Sequence, residues 1–439
     1  MSNSLESHSK GFKYASTPTR WLKVTVLGSA REVGRSAFLV ETDKVKVLLD
    51  YGILLRHEPL FPMHVKPKEI DGVVLTHAHL DHSGCIPALF LSKEIPVYAT
   101  QPTIELAKIL LLDMIKISGF YLPFEYMEVM SMLDSARTYF YREEFEVGDL
   151  KITLHNAGHI VGSAFIVVEH DGRRLLYTGD INARGSRILE SADLDVDSMD
   201  LLITESTYAM EDHQPRDEAE RLLVEFANEV VERRGVLFVP AFSVERAQEI
   251  ACVLRAFNFK HKVAIDGMAI KANEIMLRHP RFLRDAKFFS DVMNWLEWIR
   301  GWGERKRMIR EPSVIISPAG MLVGGNALFY MENLADDERN GIAMVSYQGE
   351  GTPGRLLLEQ GVAMIEGKAR KVKAEVKRFD FSGHSGRREL FEMVKGMRGN
   401  PKVWTVHGEH DTCIRFAEEI KSSVGLEAYA PLAGESIQV

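Results

Sequence analysis

Cysteine is scarce. Three residues in 439, Cys85, Cys252 and Cys413, lie far apart and are odd in number. They form neither a disulfide framework nor a cysteine-based metal spacing, so a reducing, cytoplasmic setting is expected. No apolar run approaches the ~20 residues needed to span a bilayer, which excludes a membrane protein of the helical kind. The opening MSNSLESHSK lacks a secretory apolar core. Residues up to about Thr19 read as a loose polar arm. Excess positive charge is missing too: the formal net charge is −8. Overall charge cannot then draw in a polyanion, and a nucleic acid would need a local basic groove or bound cations. What the chain does have is ordinary hydrophobic content and a length sufficient for two full cores.

One stretch stands out. Val73, Val74, Leu75 and Thr76 form an apolar, β-branched run that predicts a buried strand. Immediately after it come His77, His79, Asp81 and His82, four metal-capable side chains within six residues. Ser83-Gly84 and an apolar run (Ile86, Leu89, Phe90, Leu91) follow, predicting a helix. The ligands therefore sit on a turn held by a strand on one side and a helix on the other. Imidazole plus carboxylate suits Zn²⁺, and four ligands on one turn serve two adjacent ions better than one.

Other polar residues sit where strands end. Asp50 closes Val45–Asp50 beside Tyr51-Gly52, as either a turn residue or a support for the metal loop. His159 lies between Gly158 and Gly162, with room to approach a metal. Asp180 ends Arg174–Asp180, and a carboxylate there can bridge two cations. Glu205 ends Asp200–Glu205. Leu, Ile and Met at helical spacing over 103–134 predict packed helices. From Glu218 onward strands alternate with helices, which predicts a parallel α/β unit. Lys371–Lys377 alternates perfectly between apolar and charged residues and predicts a single strand returning to the first unit. Trp302 with Arg305-Lys306-Arg307 suits either an RNA path or an exposed charged helix.

HAHLDH resembles the H-x-H-x-D-H signature of the metallo-β-lactamase fold, and Asp50, His159 and Asp180 follow in that family's order. A second resemblance is more specific. VPAFSVERAQEI, IDGMA, SPAGML and SYQGEGTPGR are similar to the β-CASP module of metallo-β-lactamase-fold nucleases. Glu205 then matches the family's motif A, His384 in FSGHS motif B, and His407 in VHGE motif C. The resemblance implies an α/β fold: a metallo-β-lactamase αββα sandwich with an inserted β-CASP domain. The expected division is 1–207 and 366–439 for the sandwich and 208–365 for the insert, with the substrate between them.

The same resemblance implies two Zn²⁺ ions. His77, His79 and His159 would hold one, Asp81, His82 and His407 the other, with Asp180 bridging and Asp50 orienting the loop. His384 would protonate the leaving oxygen, Glu205 would hold its ring, and Asp81 would contact the attacking water. Ser385 and Gly320 are candidate phosphate contacts. Histidine at motif C marks RNA-acting members, so the expected substrate is RNA. HAHLDHSG, AGHIVGSA and VHGE look like the cleavage and polyadenylation specificity factor nuclease and its prokaryotic relatives, which implies an endoribonuclease in RNA processing. Ribonuclease J is also similar, which keeps a 5′-to-3′ exoribonuclease open, and SGHS departs from the S-A-H-x-D form of motif B. No segment ahead of Trp21 is long enough for KH domains. A homodimer through the apolar Ala428–Val439 region, and other RNA-processing or RNA-degradation partners, are also expected. A small-molecule hydrolase would have no use for Glu205, His384 or so large an insert. A non-catalytic scaffold subunit would be expected to have lost ligands.

Overall fold

The structure is a computed structural model that describes residues 21–439 apart from His57, Glu350 and Glu366. The predicted arm before Trp21 lies outside the described residues. Two seven-stranded sheets face each other. The first runs, in spatial order, Ser436–Gln438, Lys23–Val26, Ala37–Glu41, Lys46–Tyr51, Gly72–Val74, Val97–Ala99 and Ala136–Thr138. The second runs Ala428–Tyr429, Lys402–Val406, Leu201–Glu205, Arg173–Tyr177, Ala164–His170, Leu150–Asn156 and Glu144–Val147.

Alternation along the strands builds the layers. Val24, Phe38, Val47, Leu49 and Val74 of the first sheet share one core with Ile152, Ile166, Leu175, Ile203 and Trp404 of the second. The opposite face of the first sheet (Leu48, Val73, Val97) packs on the helices Gln101–Ser118 and Tyr126–Asp134 through Leu106, Leu111 and Met132. That of the second (Phe165, Leu176, Leu202, Val403) packs on Arg387–Gly396 and His410–Glu419 through Leu390, Val394 and Phe416. Helix, sheet, sheet, helix is the expected αββα sandwich.

A third sheet lies between these halves in sequence. Its six strands are all parallel, in the order Glu297–Ile299, Val263–Asp266, Ser313–Ser317, Val236–Pro240, Gly341–Met344 and Glu375–Arg378. Its central strands, such as VLFVP and SVIIS, are buried at every residue, as helices on both faces require.

One expectation fails here. Lys371–Lys377 is not a single strand returning to the sandwich. Lys368–Lys371 forms a hairpin with Val362–Ile365, and Glu375–Arg378 pairs in parallel with Gly341–Met344. Val372 and Ala374 bury in the insert's own core. Residues 368–378 thus complete the inserted lobe. Alternation specifies which face of a strand is apolar, not which neighbour it pairs with. The helix expected over Ile86–Leu91 is a 3₁₀ segment, preceded by a single α-helical turn, Leu80–Ser83, that carries Asp81 and His82. Ala428–Val439 is spent on both sheets, pairing with Val403-Trp404 and with Lys23–Thr25.

Candidate active site

The strand Lys46–Tyr51 ends in two features that seat the His77–His82 turn. Asp50 adopts a left-handed backbone (φ 57°), uncommon without glycine, and points its carboxylate under the turn. Asp50 Oδ1 accepts from the Thr76 N–H at 2.8 Å; Oδ2 accepts from Thr76 Oγ1 at 2.8 Å, Tyr177 OH at 2.9 Å and His82 Nδ1 at 2.7 Å. Gly52 lies directly beneath the turn: a Cβ there would be 1.7 Å from the Asp81 carbonyl oxygen. Ser36 N–H to Asp81 O and Ile53 N–H to Leu80 O tie the turn down. Asp50 therefore serves both as a strand-end residue and as a brace for a neighbouring imidazole.

The hydrogen bonds set which ring nitrogens are bare. The Gly383 carbonyl only accepts, so His159 Nδ1 donates to it at 2.8 Å. Thr76 gives its proton to Asp50, so His77 Nδ1 donates to Thr76 Oγ1 at 3.0 Å. His82 Nδ1 donates to Asp50. The Nε2 atoms of His77 and His159 are left as lone pairs. His77 Nε2 and His159 Nε2 both approach His79 Nδ1, at 3.2 and 3.1 Å, and Asp180 Oδ2 lies 3.5 and 3.6 Å from them. One N–H on His79 cannot satisfy two bare nitrogens. Tetrahedral zinc with bonds of 2.0–2.1 Å separates its ligands by about 3.3–3.4 Å, so these spacings fit a cation.

A second group gathers on the other side of Asp180. His82 Nε2 and His407 Nδ1 are each 3.3 Å from Asp180 Oδ1, and His407 Nε2 is 3.3 Å from Asp81 Oδ2. His407 also has a left-handed backbone (φ 48°), and Thr207 Oγ1 lies 3.2 Å from its Nδ1. Asp180 Oδ1 is buried with no hydrogen-bond donor. That orphaned carboxylate oxygen, flanked by two imidazoles, suits a positive ion. The seven predicted ligands thus form two groups sharing Asp180: His77, His79, His159 and Asp180, and Asp81, His82, Asp180 and His407.

Electrostatics divides the histidines. Burial and neighbouring imidazoles hold His77 and His159 well below the usual histidine range; burial also lowers His79. Burial opposes charge on His82 and His407 as well, but Asp180, Asp50 and Asp81 raise His82, and Asp180 and Asp81 raise His407. Asp180 itself is held well below the carboxylate range: burial opposes this, and His407, His82 and His384 overcome it.

His384 stands beside the first group, its ring centroid 4.6 Å from that of His159. Its Nδ1 is 2.9 and 3.0 Å from the two oxygens of the fully buried Glu205. Burial alone would lower the His384 pKa, but Glu205 and Asp180 push it up to about 9. Glu205 also accepts from the Ile181 N–H, next to Asp180.

Two weaker expectations meet a different environment. Ser385 is buried; its N–H donates to the Ile181 carbonyl and its Oγ accepts from the Ala183 N–H at 3.0 Å. Those groups brace the loop that carries His384. Gly320 sits in the inserted lobe against Ser346, its carbonyl accepting from Gln348. Arg305 is committed to the buried Asp266, and Arg307 pairs with Glu297, which leaves the basic run on the charged-helix reading. No sequence pattern marks His213. Its Nδ1 lies 2.8 Å from Asp380, which also accepts from the Ser382 N–H, so it steadies the FSGHS loop.

Compared with known proteins, the chain is 38% identical to RNase aCSPSF2 of Saccharolobus solfataricus over 94% of this chain and 85% of that protein. Residues 39–207 match the metallo-beta-lactamase superfamily domain and residues 247–357 the Beta-Casp domain. The chain belongs to the β-CASP family of metallo-β-lactamase-fold proteins. Residues 370–431 match the Zn-dependent metallo-hydrolase RNA specificity domain. Another β-CASP relative, transcription termination factor FttA of Methanocaldococcus jannaschii, is 36% identical over 95% of this chain and 72% of its own length. Probable RNase MJ4 of the same organism is 32% identical over 95% of this chain and all of its own. A protein of unknown function from Enterococcus faecalis V583 shares the fold, with a TM-score of 0.61 at 15% identity over 95% of this chain and 100% of that one. No helix among the described residues of this β-CASP protein is long and apolar enough to cross a membrane.

Proposed function

We propose that this β-CASP protein hydrolyses RNA phosphodiester bonds with two bound metal ions, zinc by its imidazole and carboxylate donors. The supporting observation is the placement of the His384–Glu205 pair beside two ligand groups that share Asp180. When bound, such ions acidify a water and offset phosphate charge. His77, His79 and His159 would hold one ion and Asp81, His82 and His407 the other, with Asp180 between.

The chain's own residues supply the rest. Asp81, with 30% of its side chain exposed, accepts a hydrogen bond from the attacking water. Water oxygen bonds to phosphorus, one of its protons passing to solvent, and the bond from phosphorus to the 3′-oxygen breaks. His384, with Nδ1 fixed on Glu205, gives its Nε2 proton to that oxygen. The products are a 5′-phosphate and a 3′-hydroxyl. RNA is the favoured substrate from the names of the relatives and from histidine at position 407. Likeness to cleavage-factor nucleases in HAHLDHSG and VHGE favours an internal cut.

The test uses one RNA labelled at either end, with wild type and His384→Ala. Internal fragments from both labels, lost in the variant, are expected. Mononucleotides released only from a 5′-monophosphate end would replace this reading with a 5′-to-3′ exoribonuclease. No cleavage by zinc-loaded wild type would leave a scaffold subunit.

A further inference from the structure

Arg246 opens the helix Arg246–Ala256 of the inserted lobe, and only 8% of it is exposed. Its guanidinium reaches across to the loop bearing His384: a Cβ placed on Gly383 would lie 2.9 Å from Arg246 Nη2 and 3.3 Å from His159 Nδ1. Gly383 is thus the thin wall between this arginine and the ligand group. Among the described residues the Arg246 guanidinium has no hydrogen-bonding or ion-pair partner.

The neighbouring charges are already matched. Arg216 pairs with Glu249, which also accepts from the Arg187 N–H. The Arg187 guanidinium is bonded to Glu220. Glu245, beside Arg246, is bonded by Ser186; burial and Glu249 push its carboxyl up to about 8, so at neutral pH it is mostly uncharged. Of Arg187, Arg216 and Arg246, only Arg246 has no carboxylate hydrogen-bonded to its guanidinium. Burial pulls its pKa down to about 10, still charged at neutral pH. A buried cation without a hydrogen-bonding anion is costly. A planar five-donor fork is suited to phosphate.

We propose that Arg246 is a substrate-binding residue that takes a backbone phosphate of the RNA immediately beside His384, on the leaving-group side. The inserted lobe then supplies one positive contact to the cut itself, although its chain carries none of the seven ligands. This rests on the nuclease reading above.

The test compares wild type, Arg246→Gln and Arg246→Lys on an RNA oligonucleotide and on a series in which a single linkage is an uncharged methylphosphonate. Thermal melting of each protein is measured alongside. Arg246→Gln is expected to lower kcat/KM by about 10- to 100-fold, the scale of a hydrogen bond to a charged group, and Arg246→Lys by less. One methylphosphonate next to the cut should cost wild type a similar factor and cost Arg246→Gln almost nothing more. Losses that multiply at every linkage, or an unchanged kcat/KM in folded Arg246→Gln, would overturn the assignment. If the glutamine variant does not fold, the lysine variant carries the same comparison. Anisotropy of labelled RNA with chelated protein reads binding without cleavage. Weaker binding by Arg246→Gln supports the contact even if wild type proves inactive, an outcome that would count against the nuclease reading instead. Equal binding together with unchanged cleavage counts against Arg246.

Discussion

Glu205 fixes what His384 can do. It is buried, and it holds Nδ1 so that Nε2 faces outward. Glu205 favours the acid form of His384, so cleavage should decline on the alkaline side as that proton is lost. Glu205→Gln removes the largest interaction favouring the charged form. The alkaline limb of the pH–rate profile is expected to move to lower pH, with kcat reduced by about 10²-fold or more. A limb that stays in place would show that another group titrates. Asp50 acts one step further out. Asp50→Asn removes the negative charge beside His82 and turns one of two acceptor oxygens into a donor facing N–H and O–H groups, so metal affinity should drop by about 10- to 100-fold, as measured by chelator competition. These residues were legible in the sequence to different degrees. Asp50, Asp180 and Glu205 each follow an apolar run, and a strand ending in an acid is a local pattern. Nothing local marks His213, and VPAFSVERAQEI holds Arg246 without showing its role; their placements come from Asp380 and Gly383, more than a hundred residues away.

At the scale of elements, the site depends on backbones that touch. The Asp81 turn rests on Gly52 with no space for a methyl group. Gly52→Ala must displace the turn that carries four ligands. Both metal content, by atomic absorption, and Tm are expected to fall, whereas a variant with full metal content would show that the turn accommodates the change. In the inserted lobe, Arg305 answers a fully buried Asp266 that also accepts from Tyr330. Arg305→Met strands that carboxylate and should destabilise the protein by about 3–5 kcal/mol, read by denaturant unfolding. RNA binding below the transition should be unchanged if the residue lies off the RNA path. Strand identity was readable from apolar runs because the period of two is a property of a single segment. The membership of Glu375–Arg378 was not, since parallel pairing with Gly341–Met344 is decided by distant residues.

For the whole molecule, the two ligand groups draw on turns and strand ends from His77 to His407. Ions that bind there bind only the folded chain, so their removal is expected to lower stability. A metal at one hundred times its Kd contributes about 2.7 kcal/mol. Chelation should therefore reduce Tm by several degrees, restored on adding zinc. An unchanged Tm would mean that the groups hold no ion under those conditions.

The inserted lobe interrupts the sandwich after Glu205, and the chain returns to it only at His384 and His407. During translation at ~5–20 residues per second, the roughly 200 positions between Glu205 and His407 take about 10–40 s to appear. Until His384 appears, the nascent protein has the first ligand group but neither the proposed acid nor the completed second group. On the proposed mechanism, the protein gains its full set of active-site groups only once synthesis has passed both histidines.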